Sequence, residues 1–228
     1  MKQDAQRKSI MVRNFDNQKV FHHNEVLSLE DLGLDGELNI PEGARSIIMF
    51  IDGSGSSRFS QRNRDLSKVL NDCGMATLLF DLTTDEEPGK SPPNVELLAR
   101  RICEATKWLR ENGDTERLRL GYFGTGPTAA AVLLAAAALP RQVHAVVCYE
   151  TRPDLAGSLL ATVKAPTLLI VDSADTELLR HNREAATQLK CEHHLETVAS
   201  EEDEEQQDAP ESMANLARKW FNWHLNKS

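Results

Sequence analysis

The sequence predicts an α/β fold: a mostly parallel sheet flanked by helices and led by an antiparallel hairpin. Three observations carry this. Short, nearly unbroken apolar runs recur: SIIMFI at 46–51, MATLLF at 75–80 and PTLLIV at 166–171. Such runs mark strands covered on both faces, as in parallel sheets. Stretches with helical apolar spacing lie between them, and the alternation implies a doubly wound arrangement. Third, LRLGYFGTGPTAAAVLLAAAAL at 118–139 reads as a buried strand, a tight glycine turn and an Ala-rich helix.

Residues 1–9, MKQDAQRKS, are polar and charged and read as a flexible N-terminus with no apolar signal core. Residues 10–228 read as a single domain, because no repeat and no Pro/Gly/Ser linker divides them. The alternating segments IMVRNF and GELNI fit a leading hairpin, and Pro41, Glu42 and Gly43 make a turn. After the strand at 46–51, residues 62–73 place Leu66, Val69, Leu70 and Cys73 on one helical face. The strand at 75–80 follows, then a polar loop at 81–93. Residues 95–112 form an amphipathic helix with Leu98, Ile102, Ala105 and Leu109 in register. Beyond the glycine turn and its helix, strands are expected at 145–149, 166–171 and 195–199, with a helix at 180–189. Asp208 to Glu211 suggests a capping box for a last helix that buries Met213, Leu216, Trp220 and Phe221.

Composition excludes several classes. The 228 residues suffice for one sizeable α/β domain. A net charge of −9 argues against nucleic-acid or anionic-membrane binding. The longest apolar run, 129–139, is shorter than the roughly 20 residues a bilayer needs. Cys73, Cys103, Cys148 and Cys191 lack metal-ligand or CxxC spacing. They read as reduced, structural thiols, so a cytoplasmic protein is expected. No cofactor is implied. His22 and His23 are adjacent but have no evident third metal ligand.

The segment at 118–139 has the layout of a nucleophile elbow, G-x-S-x-G on a strand–turn–helix. Here it reads Gly124, Thr125, Gly126, Pro127, Thr128. Gly126 stands where the nucleophile belongs and has no side chain to attack with. Pro127, at the position that normally gives an oxyanion-hole N–H, has none to give. A second candidate is the loop after the first core strand: Gly53, Ser54, Gly55, Ser56, Ser57 and Arg58, preceded by Asp52. Successive glycine and serine amides before a helix can form an anion-binding nest, and an arginine can fork to an anion's oxygens. The alternative is a tight strand–helix connection with serine caps. It is not a P-loop, since the G-K-[ST] ending is absent.

The segments GSGSSRFSQRN, GMATLLFDL, NVELLARRICEATKWLR, GYFG, RPDLAG, APTLLIV and NREA together resemble the dienelactone-hydrolase-like α/β-hydrolases. The match is to a bacterial branch sometimes fused to a phosphoribosyltransferase, a portion not read here, and it runs from about Leu34 to the C-terminus. The resemblance implies an α/β-hydrolase fold and hydrolysis of ester or lactone bonds by a Ser-His-Asp triad. Residue by residue, the triad is degenerate. The histidine that usually precedes GSGSS is replaced by Asp52, and the nucleophilic serine by Gly126. Asp175 matches the acid. The histidine is absent, because the stretch SEEDEEQQDAPES that should hold it contains none. Thr125 and Thr128 flank the elbow, but a hydroxyl needs an adjacent base. Asp175 alone reads as a cap for the following helix.

These residues therefore predict a pseudoenzyme: a hydrolase-like scaffold that binds a small anionic molecule or a protein partner. The candidate binding set is Asp52, the Gly53–Arg58 loop, Thr125 and Thr128. The alternatives are a hydrolase working through non-standard residues and a non-catalytic scaffold subunit. The acidic run Glu201–Glu205 is expected to be a solvated, mobile loop replacing the histidine loop.

Overall fold

The computed structural model describes residues 21–29, 34–52, 60–82, 94–126, 129–199 and 212–226. It contains one eight-stranded sheet in the order β1-β2-β4-β3-β5-β6-β7-β8. The strands are β1 (Phe21–Leu29), β2 (Leu34–Pro41), β3 (Ser46–Asp52), β4 (Ala76–Phe80), β5 (Arg119–Thr125), β6 (Val143–Tyr149), β7 (Thr167–Asp172) and β8 (His193–Val198). From β4 to β8 all neighbours run parallel, while β2 is antiparallel to both β1 and β4. The leading hairpin is thus present. GELNI lies in β2, but its partner is Phe21–Leu29; the segment IMVRNF lies outside the described residues.

Among the described residues five α-helices flank the sheet: α1 (Gln61–Asp72), α2 (Val95–Glu111), α3 (Ala129–Ala138), α4 (Thr176–Ala186) and α5 (Met213–Leu225). Three polar caps set their starts, with Ser60, Asn94 and Ser212 accepting the N–H of Asn63, Leu97 and Asn215. The cap of α5 is therefore Ser212, not the expected Asp208. Helix α4 begins four residues earlier than its apolar spacing suggests, because Asp175 caps it. Pro153–Thr162, not read from the sequence, forms 3-10 turns kinked at Gly157, whose φ is +55°. The loop expected at 81–93 and the acidic run Glu201–Glu205 fall largely or wholly outside the described residues.

The period-2 alternation of the strands splits the core in two. Ile47, Met49 and Ile51 of β3 face the layer of α2, α3 and α4, while Ile48 and Phe50 face α1 and α5. Helix α3, AAAVLLAAAA, is apolar all round, as befits a helix buried on most of its circumference. On the other face α5 sits so close to β5 that a Cβ at Gly121 would come within 2.8 Å of the Phe221 ring. One polar contact inside the first layer is satisfied locally: the hydroxyls of Tyr122 and Thr106 hydrogen-bond, and burial pushes the Tyr122 phenol far up.

Candidate functional site

In open α/β sheets the ligand crevice lies beyond the carboxyl ends of the strands. That edge is built here by the last residues of β3, β5, β6 and β7. Register sets Asp52 beside Thr125 and Thr125 beside Tyr149. Of the residues singled out from the sequence, Asp52, Thr125 and Gly126 are thus brought together. Thr125 is buried and Asp52 half-buried. The Asp52 carboxylate accepts the side-chain amide of Asn63 at 3.1 Å. Asn63 is itself buried, with its backbone N–H on the Ser60 cap, so the end of β3 is tied to the first turn of α1. Gly53–Arg58, Pro127 and Thr128 lie outside the described residues.

Gly126 follows the end of β5 in a left-handed conformation and carries no side chain. Its φ is +69°, and its N–H donates to the Tyr149 carbonyl at 3.1 Å. A nucleophile elbow holds its serine in a strained turn of this kind; glycine occupies it without steric penalty. A Cβ built here would meet no described residue within 4 Å.

The acid arm is committed to local structure. Asp175 accepts the N–H of Leu178 at 2.8 Å and so caps α4. Asp172 accepts the N–H of Ala174 at 2.8 Å within the same turn. Beside them stands a residue that sequence reasoning missed, Glu150, immediately after β6. It is the one described non-glycine residue with positive φ, at +53°. Its carboxylate accepts the N–H of Asp172 at 2.6 Å. Burial foremost, and then the Asp172 and Asp175 carboxylates, hold Glu150 above the usual carboxylate range; the Asp172 N–H and Arg62 pull the other way. Arg62 reaches in from α1, with its guanidinium 5.0 Å from the centroid of the Tyr149 ring. The signal for Glu150 was its place at the carboxyl end of a parallel strand. Its left-handed backbone has no signature in residue type.

Five histidines outside β1 make contacts of their own. His193 and His194 open β8, at the amino end of the parallel strands. His224 lies on α5 with its ring 4.3 Å from that of Trp220. His181 on α4 is 3.8 Å from Asp154. His144, near the start of β6, is held below the usual imidazole value by burial and then by Arg119 and Arg110. Among the described residues no three His, Cys, Asp or Glu side chains converge as metal ligands.

No family model matches the chain. A solved structure of dienelactone hydrolase from Anabaena variabilis does, with 41% identity over 92% of this chain and 100% of that one and a TM-score of 0.82. The chain belongs to the dienelactone hydrolase family. Two esterase structures share the family's α/β-hydrolase fold at low identity. One is a cold-adapted esterase from an Arctic intertidal metagenomic library, 13% identical with a TM-score of 0.69 over 89% of this chain and 93% of that one. The other is an esterase, Est1E from Butyrivibrio proteoclasticus, solved with ferulic acid, 14% identical with a TM-score of 0.70 over 89% and 100%. Two Mycobacterium tuberculosis proteins, each named "Putative phosphoribosyl transferase", are 45% identical over 194 residues, which is 83% of this chain. The chain spans 44% of their length. Within the dienelactone hydrolase family fold, then, the crevice edge of this chain presents Asp52, Thr125, Gly126, Glu150, Asp172 and Asp175.

Proposed function

We propose that this member of the dienelactone hydrolase family is a pseudoenzyme, which binds a small anionic molecule or a protein partner and does not hydrolyse esters through a Ser-His-Asp triad. Gly126 carries the reading: β5 ends in a left-handed turn at a residue that has no side chain to act as nucleophile. The sequence 199–212 that should supply the base has no histidine. Asp175 acts as a helix cap, which agrees with an acid that has nothing to orient.

The ligand we favour is a phosphate or carboxylate held by the amides of Gly53–Arg58 and by the Arg58 guanidinium. The transferase name of the mycobacterial relatives belongs to longer proteins and adds only that phosphate compounds are reasonable first probes. A cytoplasmic setting fits the four free cysteines. Among the described residues no helix is long and apolar enough to cross a membrane.

Glu150 favours a second reading, hydrolysis by non-family residues. A carboxyl held above its ordinary range, on strained backbone at the crevice, has the properties of a general base for water. One experiment separates the two. Purified protein is assayed with p-nitrophenyl acetate, treated with a fluorophosphonate probe, and melted with and without inorganic phosphate and short carboxylates. The pseudoenzyme reading expects no turnover above a denatured control, no labelling, and ligand-dependent stabilisation. Turnover abolished by Glu150→Gln supports the second reading instead.

A further inference from the structure

We propose that β8 is a self-complementary edge through which two copies of this chain join their sheets antiparallel, about a two-fold axis passing through Leu195. Among the described residues β8 is last in the strand order and pairs with β7 alone. The carbonyls of Glu192 and Val198 accept the N–H groups of Thr167 and Ser173. Backbone polar groups of a strand alternate in direction, so the even-numbered residues of β8 point to β7. The odd-numbered residues, 193, 195 and 197, point their N–H and C=O groups away from the sheet. An exposed row of this kind is a template for another strand.

Donor–acceptor complementarity selects the partner and the register. His194 and Glu196 lie on the same face of β8, 3.9 Å apart, with side chains 58% and 46% exposed. Antiparallel pairing centred on Leu195 sets Leu195 opposite Leu195 and residue 193 opposite residue 197. Those are odd-numbered residues, so they form the hydrogen-bonded pairs. His194 then falls opposite Glu196 of the second copy, twice over, at the non-hydrogen-bonded positions where side chains approach most closely. An imidazole donor faces a carboxylate acceptor in both pairs. Centring one residue earlier sets Glu192 against Glu196; centring one residue later sets Glu196 against itself. Both alternatives oppose like charges. Only the Leu195-centred register satisfies the backbone and the side chains together, and it is the isologous contact that closes a two-fold dimer.

The faces flanking this edge are already covered. His194 lies 5.4 Å from the Trp220 ring of α5, and Leu195 packs into the core layer shared with α4. A second copy therefore extends the sheet without unfolding either layer.

Analytical ultracentrifugation tests this on the full chain, at concentrations up to about 100 μM, the range of weak association. The wild type is expected to approach twice the 25.4 kDa monomer mass. His194→Glu opposes carboxylates at both symmetry-related pairs and is expected to weaken association at least about tenfold. The swap H194E/E196H restores an imidazole donor opposite each carboxylate in trans and is expected to recover the dimer. Thr197→Pro removes an outward N–H at an edge position that tolerates proline, and is expected to give monomer. Circular dichroism and melting curves confirm that each variant is folded. A wild type that stays monomeric overturns the proposal. So does a dimer indifferent to His194→Glu, or one that the swap does not recover.

Discussion

Glu150 and Asp172 meet across the ends of two neighbouring strands: the Glu150 carboxylate accepts the Asp172 N–H at 2.6 Å while its own backbone sits at φ +53°. The contact anchors β6 to β7 at the crevice edge and places Glu150 among other carboxylates. Its carboxyl is held above the ordinary value of 4.5, by burial first. A carboxyl raised on folding binds its proton more tightly in the native state. Stability from this group is therefore full below the unfolded value and is lost as pH rises through the folded one. Glu150→Gln keeps an oxygen for the Asp172 N–H and removes the charge. It should raise the melting temperature at pH 8 relative to the wild type. The difference should vanish below about pH 4.3, the ordinary range of a glutamate. An unchanged or lower melting temperature at pH 8 contradicts this reading of Glu150.

Gly126→Ser should fold but not gain esterase activity. No described residue lies within 4 Å of a Cβ at this position, which leaves room for the hydroxymethyl group among the described residues. The left-handed backbone, at φ +69°, should lower stability by about 1–2 kcal/mol, the penalty for an L side chain in that region. Pro127 still offers no oxyanion N–H, and the 199–212 stretch still holds no base. Lacking one such donor alone costs about 3–4 kcal/mol of transition-state stabilisation. Robust turnover of p-nitrophenyl acetate by the single variant would reveal a base that this inventory lacks.

Asp175→Ala should act on stability alone. Losing the cap on α4 should cost about 1 kcal/mol, seen as a lower denaturant midpoint. Anion binding measured by calorimetry should be unchanged. A binding defect with normal stability would assign Asp175 to the ligand.

Arg58 and Arg64 should differ in their effect on any anion bound by the Gly53–Arg58 loop. Arg58→Ala should weaken phosphate or carboxylate in calorimetry more than Arg64→Ala, because Arg58 belongs to the Gly/Ser segment itself while Arg64 lies within α1. Equal losses, or no heat of binding, would reduce the loop to a strand–helix turn.

Gly121→Ala should destabilise the fold by about 1–3 kcal/mol, the range for overpacking a filled core. The added Cβ would approach the Phe221 ring to 2.8 Å and Leu225 to 3.0 Å, and both side chains are fully buried. A melting curve that matches the wild type would mean that α5 can lift from β5 freely.

By itself the sequence determined the alternation of buried strands and amphipathic helices, the leading hairpin, and the glycine turn after β5. These are one-dimensional properties: apolar periodicity and turn chemistry act over a few residues, so they can be read without contacts. It also determined the absence of a nucleophile at Gly126 and of a histidine at 199–212, which residue identity settles. Asp175 was legible as the cap of α4, but the helix start at Ser212 was harder to read. Asp208 and Ser212 are both competent caps, and the rest of the fold selects between them. Only the tertiary structure decided what the remaining polar residues do. Glu150 is 22 residues from Asp172 in the chain, and it joins the crevice because parallel strands bring their carboxyl ends to one edge. His194 and Glu196 became a self-complementary pair because β8 ends the sheet, and strand order is a property of long-range pairing that no local pattern encodes.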